Sequence, residues 1–296
     1  MRFFKRNKPA PPRTGIIRDF DKKTPAIKVA LVIVYVICFL VVIIALFPVL
    51  WVILAGFKDL RELMSSTAIF PDSFDFSRYS RTWSQLNIVQ NYLNSLFVII
   101  GSVFSALVFN GLLAYGLAIL KPKGHNIVYT LVMISLLIPA TIALVPLFIN
   151  IQRFNMGGFF TPLWLAAGAN AINVVLFRQF FLSIPPSLIE AARIDGSSQL
   201  TIFSRIVMPL SKPICMVVTI FTVNGVWSDF LLPFLVLGVG RWQTVMVRLF
   251  VFSTQQTINN DDLLRAVVFS MIPPIILFFI FQKQLTENIV AAGIKG

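Results

Sequence analysis

Residues 29–57 form a run of 29 positions without a carboxylate, lysine, arginine or histidine. About 20 apolar residues suffice to cross the hydrocarbon core of a bilayer, so this run spans one with length to spare. Nothing after it has the small-residue pattern of a cleavage site, and it reads as a permanent first span. The composition agrees: 57% of the chain is apolar and only 12% is charged, with a mean hydropathy of +0.84. A soluble domain carries about 25% charge. The expected solvent is lipid.

Six apolar segments follow from the hydropathy, at about 27–55, 92–119, 126–150, 159–177, 214–240 and 266–282, the last being the shortest. The charge-free run 82–120 exceeds what one span requires, and its first third is expected along the outer interface. The expected fold is all-α: a polytopic membrane protein with six transmembrane helices. Nine Lys/Arg precede Val29, and with the N-terminus in the cytoplasm 17 of the 25 Lys/Arg fall on inner segments and 8 on outer ones. Both termini are therefore expected inside, and the net charge of +13 marks an anchor rather than a nucleic-acid surface. The chain divides into a basic cytoplasmic segment 1–28, a first span with an outer segment 29–90, a transmembrane core 91–282 with a long inner loop at about 178–213, and a cytoplasmic tail 283–296.

Two cysteines, Cys38 and Cys215, and one histidine, His125, exclude a disulfide framework, a zinc site and a Ser-His-Asp triad. No pair of ionisable residues converges within the spans, which disfavours an integral-membrane enzyme. The absence of a G-x4-G-K-[S/T] stretch means that a nucleotide, if one is used, is bound elsewhere.

The inner loop has the punctuation of a helical hairpin. Pro186 suits a first helical turn and Gly196 a left-handed stop. Ser197 or Ser198 can cap a second helix, with Leu200, Phe203, Ile206 and Val207 on one face before Pro209. Ala191 and Ala192 permit close approach to another surface, and Glu190 offers a charge to a basic partner. An interfacial hairpin without a partner has the same local pattern.

The spacing Glu190-Ala191-Ala192, three residues, Gly196, nine residues, Ile206-Val207-Met208-Pro209 resembles the EAA loop of binding-protein-dependent ABC importer permeases. Met208 stands where the usual residue is Leu, a volume-conserving change. Arg193-Ile194-Asp195-Gly196 and Trp227-Ser228-Asp229-Phe230 with Pro233 are similar to the sugar-permease branch, and the ending Ala291-Ala292-Gly293-Ile294-Lys295-Gly296 resembles the tail of MalG-like subunits. The resemblance runs from about Asn91 to the end and is loose before it. It implies a MetI-like permease core in the bacterial inner membrane, without catalysis of its own. Its partners would be a second homologous permease, two cytoplasmic ATPases, an extracytoplasmic binding protein and a sugar. It further implies that Glu190, Ala191, Ala192, Asp195, Gly196, Ile206 and Pro209 couple to the ATPase, with no cofactor or metal on this chain and ATP and Mg on the partner.

Asp229 is the one acidic residue within an expected span, in its outer half. A carboxylate there must face the bundle or a water-filled cavity. It reads as a sugar-hydroxyl acceptor, an outer-gate contact or a helix–helix hydrogen bond; in a self-sufficient secondary transporter or channel it would be the ion site. Asn173 and Asn224 join it as translocation-path candidates, although asparagine also binds membrane helices together. Ser102, Ala106, Asn110, Ala114 and Ala118 repeat every four residues and suggest a packing seam. Arg241, Arg248 and Arg265 would favour an acidic oligosaccharide such as a uronide, or pair with the carboxylates of a binding protein, and we favour the latter.

Overall fold

The structure is a computed structural model that describes residues 25–293, with side chains as far as Gln282. Most of the basic segment 1–28 and the end of the tail 283–296, including Lys295, lie outside the described residues. The helices in order are α1 (Pro25–Ala55), α2 (Leu60–Ser65), α3 (Phe76–Leu86), α4 (Ile88–Leu120), α5 (His125–Ser135), α6 (Ala140–Arg153) and α7 (Thr161–Gly168). They continue as α8 (Ala171–Phe181), α9 (Pro186–Ile194), α10 (Gln199–Leu210), α11 (Lys212–Ser228), α12 (Leu231–Leu237), α13 (Val245–Ser253) and α14 (Asn260–Gly293). No strand occurs among the described residues.

The chain divides into a unit ending at Val52 and a unit beginning at Ile53. The first is the greater part of α1, whose apolar side chains stand exposed, Tyr35 and Ile44 at 70%. The second holds the core.

Three helices are individually long and apolar enough to cross a membrane: Ile27–Ala55, Ile88–Leu120 and Asn260–Gln282. The other three expected segments each run as two shorter helices, α5 with α6, α7 with α8, and α11 with α12. Two of the breaks sit beside proline. Pro139 disfavours helical geometry at Ile138 before α6. The ring of Pro233 would clash with the carbonyl of residue 229, so α11 ends at Ser228 and α12 starts afresh at Leu231. At the third, Asn170 leaves the helical region and accepts from the N–H of Asn173 to cap α8.

The central helix α4 packs against α7, α8 and α11. The stripe Ser102, Ala106, Asn110, Ala114 and Ala118 is buried, as a packing seam requires, and Gly101 lets the Trp164 ring of α7 lie directly on the backbone of α4. Two wide turns, Ala106–Asn110 and Gly116–Leu120, interrupt its regular pitch. The helix starts at Ile88, earlier than expected, after a left-handed Asn87 that separates it from the amphipathic α3. The last span is also longer than its charge-free stretch, because Arg265 inside α14 is neutralised by Asp261 and Asp262 one turn before it.

Candidate functional site

A cavity of about 640 Å³ opens between α4, α6, α7, α8, α11 and the start of α12. Asn173, Asn224 and Asp229 all line it, so the structure brings together the three polar residues singled out within the spans. Each is aimed by a local device. Asn173 sits in the first turn of α8, fixed by the Asn170 cap. Asn224 projects from the last full turns of α11. Asp229 stands at the α11–α12 break, where its Oδ1 accepts from the N–H groups of Leu231 (3.0 Å) and Leu232 (3.4 Å). Its carboxylate therefore caps α12 as well as facing the cavity.

Sequence reasoning counts Asn170 among six asparagines, with Asn94, Asn110, Asn150, Asn173 and Asn224, able to bond a sugar hydroxyl, without selecting it for this site, and does not select Ser102 and Thr222. Ser102, Asn170 and Thr222 all line the cavity. The hydroxyls of Ser102 and Thr222 are buried and have no hydrogen-bond partner among the described residues. Ser102 had a visible signal, as a polar member of an otherwise small-residue stripe; Thr222 had none. Asn110 does not reach the cavity: its Nδ2 donates to Ala167 O at 3.1 Å and its Oδ1 accepts from Asn170 N at 3.0 Å. It thereby satisfies the backbone on both sides of the α7–α8 break, as lipid demands.

The helical hairpin α9–α10 lies at the opposite ends of α8 and α11, which turn into it by 81° and 83°. Pro186 opens α9. Gly196 has φ 76°, with Gly196 N bonded to Arg193 O and Ser197 N to Ala192 O, the two bonds of a glycine-terminated helix. Ser198 caps α10 through Thr201 N at 3.2 Å. Glu190, Ala191, Asp195, Gly196 and Pro209 are exposed, Ile206 is half-buried, and Ala192 faces the core with Ile189. One expectation fails: Leu200 is 69% exposed, and the buried face of α10 is Ile202, Phe203 and Val207. A wide turn at Phe203–Val207 shifts the helical phase and carries Leu200 off that face. With Ile194 at 86% exposure, Leu200 places an apolar side chain on each side of the elbow. Tyr115 of α4 anchors the hairpin by donating to Gln199 Oε1 at 2.9 Å, its ring against Phe203.

The three arginines expected to face outward divide differently. Arg265 is buried at 3% exposure, donating to Asp261, Asp262, Thr82 Oγ1 and Gly56 O. Arg248 donates to the carbonyls of Gln85 and Leu86. Both guanidiniums tie α3 to the rest of the fold, and the buried Arg265 is withdrawn from recognition of a ligand or partner; Arg241 stands exposed over the Trp242 ring and lines a smaller cavity with the half-buried Arg248. Beside Arg265, Tyr79 donates to Ile53 O at 2.7 Å. Burial pushes its phenol up to about 12, against the opposing effect of the Arg265 charge.

The model of the family "Binding-protein-dependent transport system inner membrane component" matches residues 108–291. The chain is 33% identical over 257 residues to the arabinooligosaccharides transport system permease protein AraQ of Halalkalibacterium halodurans, covering 86% of this chain and 92% of that one. It is 29% identical over 274 residues to the diacetylchitobiose uptake system permease protein NgcG of Streptomyces coelicolor, covering 91% and 88%. Its fold is that of a chain in the crystal structure of a bacterial ABC transporter involved in the import of the acidic polysaccharide alginate, with TM-score 0.76 and 23% identity over 88% of this chain and 98% of that one.

Proposed function

Because this chain belongs to the binding-protein-dependent transport system inner membrane components, as a MalG-like sugar permease, we propose that it passes a short oligosaccharide through the cavity of Asn173, Asn224 and Asp229, driven through its α9–α10 hairpin by ATP hydrolysed on partner subunits. One observation carries this reading. The helices that enter and leave the hairpin, α8 and α11, are the same helices that carry the polar groups of the cavity. Thr222 lies ten residues from the hairpin end of α11, about 15 Å at 1.5 Å per residue. A rotation of the hairpin is transmitted along two rigid helices to the cavity wall without any change of packing within them.

In this reading Glu190, Ala191, Asp195 and the apolar pair Ile194 and Leu200 meet a cleft on a cytoplasmic ATPase, while Gly196, Ile206 and Pro209 fix the hairpin that presents them. ATP and Mg are bound by that partner. A second homologous permease completes the path, and an extracytoplasmic binding protein delivers the sugar. Both termini lie in the cytoplasm, supported by the 17 to 8 division of Lys/Arg. The oligosaccharide class is supported by relatives whose names specify arabinooligosaccharides, diacetylchitobiose and melibiose/raffinose/stachyose. An ion site at Asp229 in a self-sufficient transporter has no support from the family.

The test is uptake by the complete importer in proteoliposomes. Transport is expected to require ATP on the hairpin side and loaded binding protein on the other, and to persist when ion gradients are collapsed. Uptake driven by an ion gradient without ATP would overturn the reading. In a background without Cys38 and Cys215, single cysteines at Ser198 and Ser73 are expected to react with an impermeant reagent from opposite sides.

A further inference from the structure

We propose that the cavity is selective by charge, admitting neutral, hydroxyl-rich saccharides and rejecting uronates and other anionic sugars. The inference rests on the reading of this cavity as the translocation path and adds the class of sugar that the path accepts.

The lining carries the argument. No lysine, arginine or histidine is among the residues that line the cavity. Its polar groups are the hydroxyls of Ser102 and Thr222, the amides of Asn170, Asn173 and Asn224, and the carboxylate of Asp229. The hydroxyls of Ser102 and Thr222 are buried, with the residues 0% and 7% exposed, and neither has a partner among the described residues. Both oxygens lie behind the accessible wall, so the polar groups that meet a guest are chiefly the exposed Asn170 and Asn224 and the half-buried Asp229. The two helix-capping bonds of Asp229 both fall on Oδ1, which leaves Oδ2 without a hydrogen bond from the described residues.

A sugar hydroxyl is donor and acceptor at once. Asparagine amides match it in both senses, and a carboxylate oxygen accepts from it. Val98, Leu163 and Phe221 supply apolar wall for the C–H faces of a pyranose or furanose ring. The volume lies within the roughly 300–1,000 Å³ of small-molecule sites.

A uronate meets the opposite conditions. Its carboxylate would leave water for a wall on which this chain places no counter-charge, beside Asp229. Other cations stand apart from it: Arg265 and Arg248 are held in the bonds described above, Lys58 on Ala68 O and Glu62, Arg78 on Phe57 O, Asp59 and Asp75, and the exposed Arg241 is not among the lining residues.

The experiment places one cysteine at Asn224 in a chain with Cys38→Ser and Cys215→Ser, assembled in the complete importer. Its modification is followed with cationic and anionic methanethiosulfonates, each normalised to its rate at a cysteine replacing Ser198. The cationic reagent is expected to react about tenfold faster than the anionic one, the scale of one unit charge acting across a partly screened cavity. The added substitution Asp229→Asn, which keeps an equally good helix cap, is expected to bring the two rates together. Neutral pentose or hexose oligosaccharides are expected to slow the modification, and oligogalacturonate of the same length to leave it unchanged. Equal rates for the two reagents, or protection by oligogalacturonate, overturn the charge selectivity while leaving the path intact. Failure of every reagent to reach the Asn224 position, with and without ATP, overturns the path itself.

Discussion

Tyr92 donates its phenolic hydrogen to the carbonyl of Phe269 at 2.6 Å, the carbonyl that Pro273, four residues later in α14, leaves without its helical partner. The carbonyl freed by this proline is thus satisfied from α4, and the two longest helices of the second unit are joined at that point. Tyr92→Phe keeps the ring and removes only the donor. A loss of about 1–3 kcal/mol is expected from the orphaned carbonyl, read as a lower melting temperature of the purified protein in detergent.

Asn110 serves the α7–α8 break in the same way but with both ends of its amide. Asn110→Ala should cost more than Tyr92→Phe in thermal unfolding, because it orphans a donor and an acceptor, on the order of 1–3 kcal/mol each.

Gly196 gives a sharper test of the hairpin. A Cβ there would meet nothing within 4 Å, so the penalty for substitution comes from φ 76° alone and not from crowding. Gly196→Ala and Gly196→Val should both be impaired, by at least about 1 kcal/mol, while Gly196→Asn should be tolerated because asparagine enters the left-handed region readily. The measurement is stimulation of the partner ATPase by loaded binding protein. Equal activity for Val and Asn would show that the elbow does not set the coupling geometry.

Glu190 is exposed and has no ion pair among the described residues, which leaves its charge available to a partner. Glu190→Gln should weaken retention of the ATPase by about 1.5–3 kcal/mol if the contact is shielded from water, and by less than about 1 if it is exposed. Glu190→Lys should fail more completely. Full subunit content and full stimulation from Glu190→Lys would move the docking surface to Ile194 and Leu200.

Arg265→Leu should destabilise the whole chain by about 3–5 kcal/mol, since Asp261 and Asp262 would lose their counter-charge in a buried setting. Arg265→Lys keeps the charge but not the fork that reaches Thr82 and Gly56 together, and is expected to recover part of the loss. Arg241→Ala should leave folding unchanged. Yield and melting temperature distinguish the three.

What the sequence made legible was local. Pro186, Gly196 and Ser198 announce the hairpin because capping and turn chemistry act within a few residues, and the structure has them in those roles. The gathering of Asn173, Asn224 and Asp229 is of another kind, since it depends on how α8 and α11 lie against α4, which no spacing along the chain encodes. Arg265 was hidden for a different reason: a charge near a span end looks like a surface residue unless its partners are read with it. The signal was present, as Asp261 and Asp262 precede it by four and three residues, one helical turn. Leu200 was misplaced because a regular helix was assumed where a wide turn intervenes.

The two wide turns of α4 give chain length a meaning that residue identity does not have. In a regular helix every fourth residue overshoots a full turn by about 40°, so a stripe with that spacing would wind around to the far side within four steps. A turn closed by an i→i+5 bond takes in an extra residue and turns the stripe back, which keeps Ser102 through Ala118 inside the protein. Deleting one residue between Ala106 and Asn110 would preserve the composition of the seam. It would take out that extra residue and close the wide turn into a regular one, leaving Asn110 near its place with a spacing of three from Ala106. A relative whose equivalent helix is regular must therefore space its small residues differently.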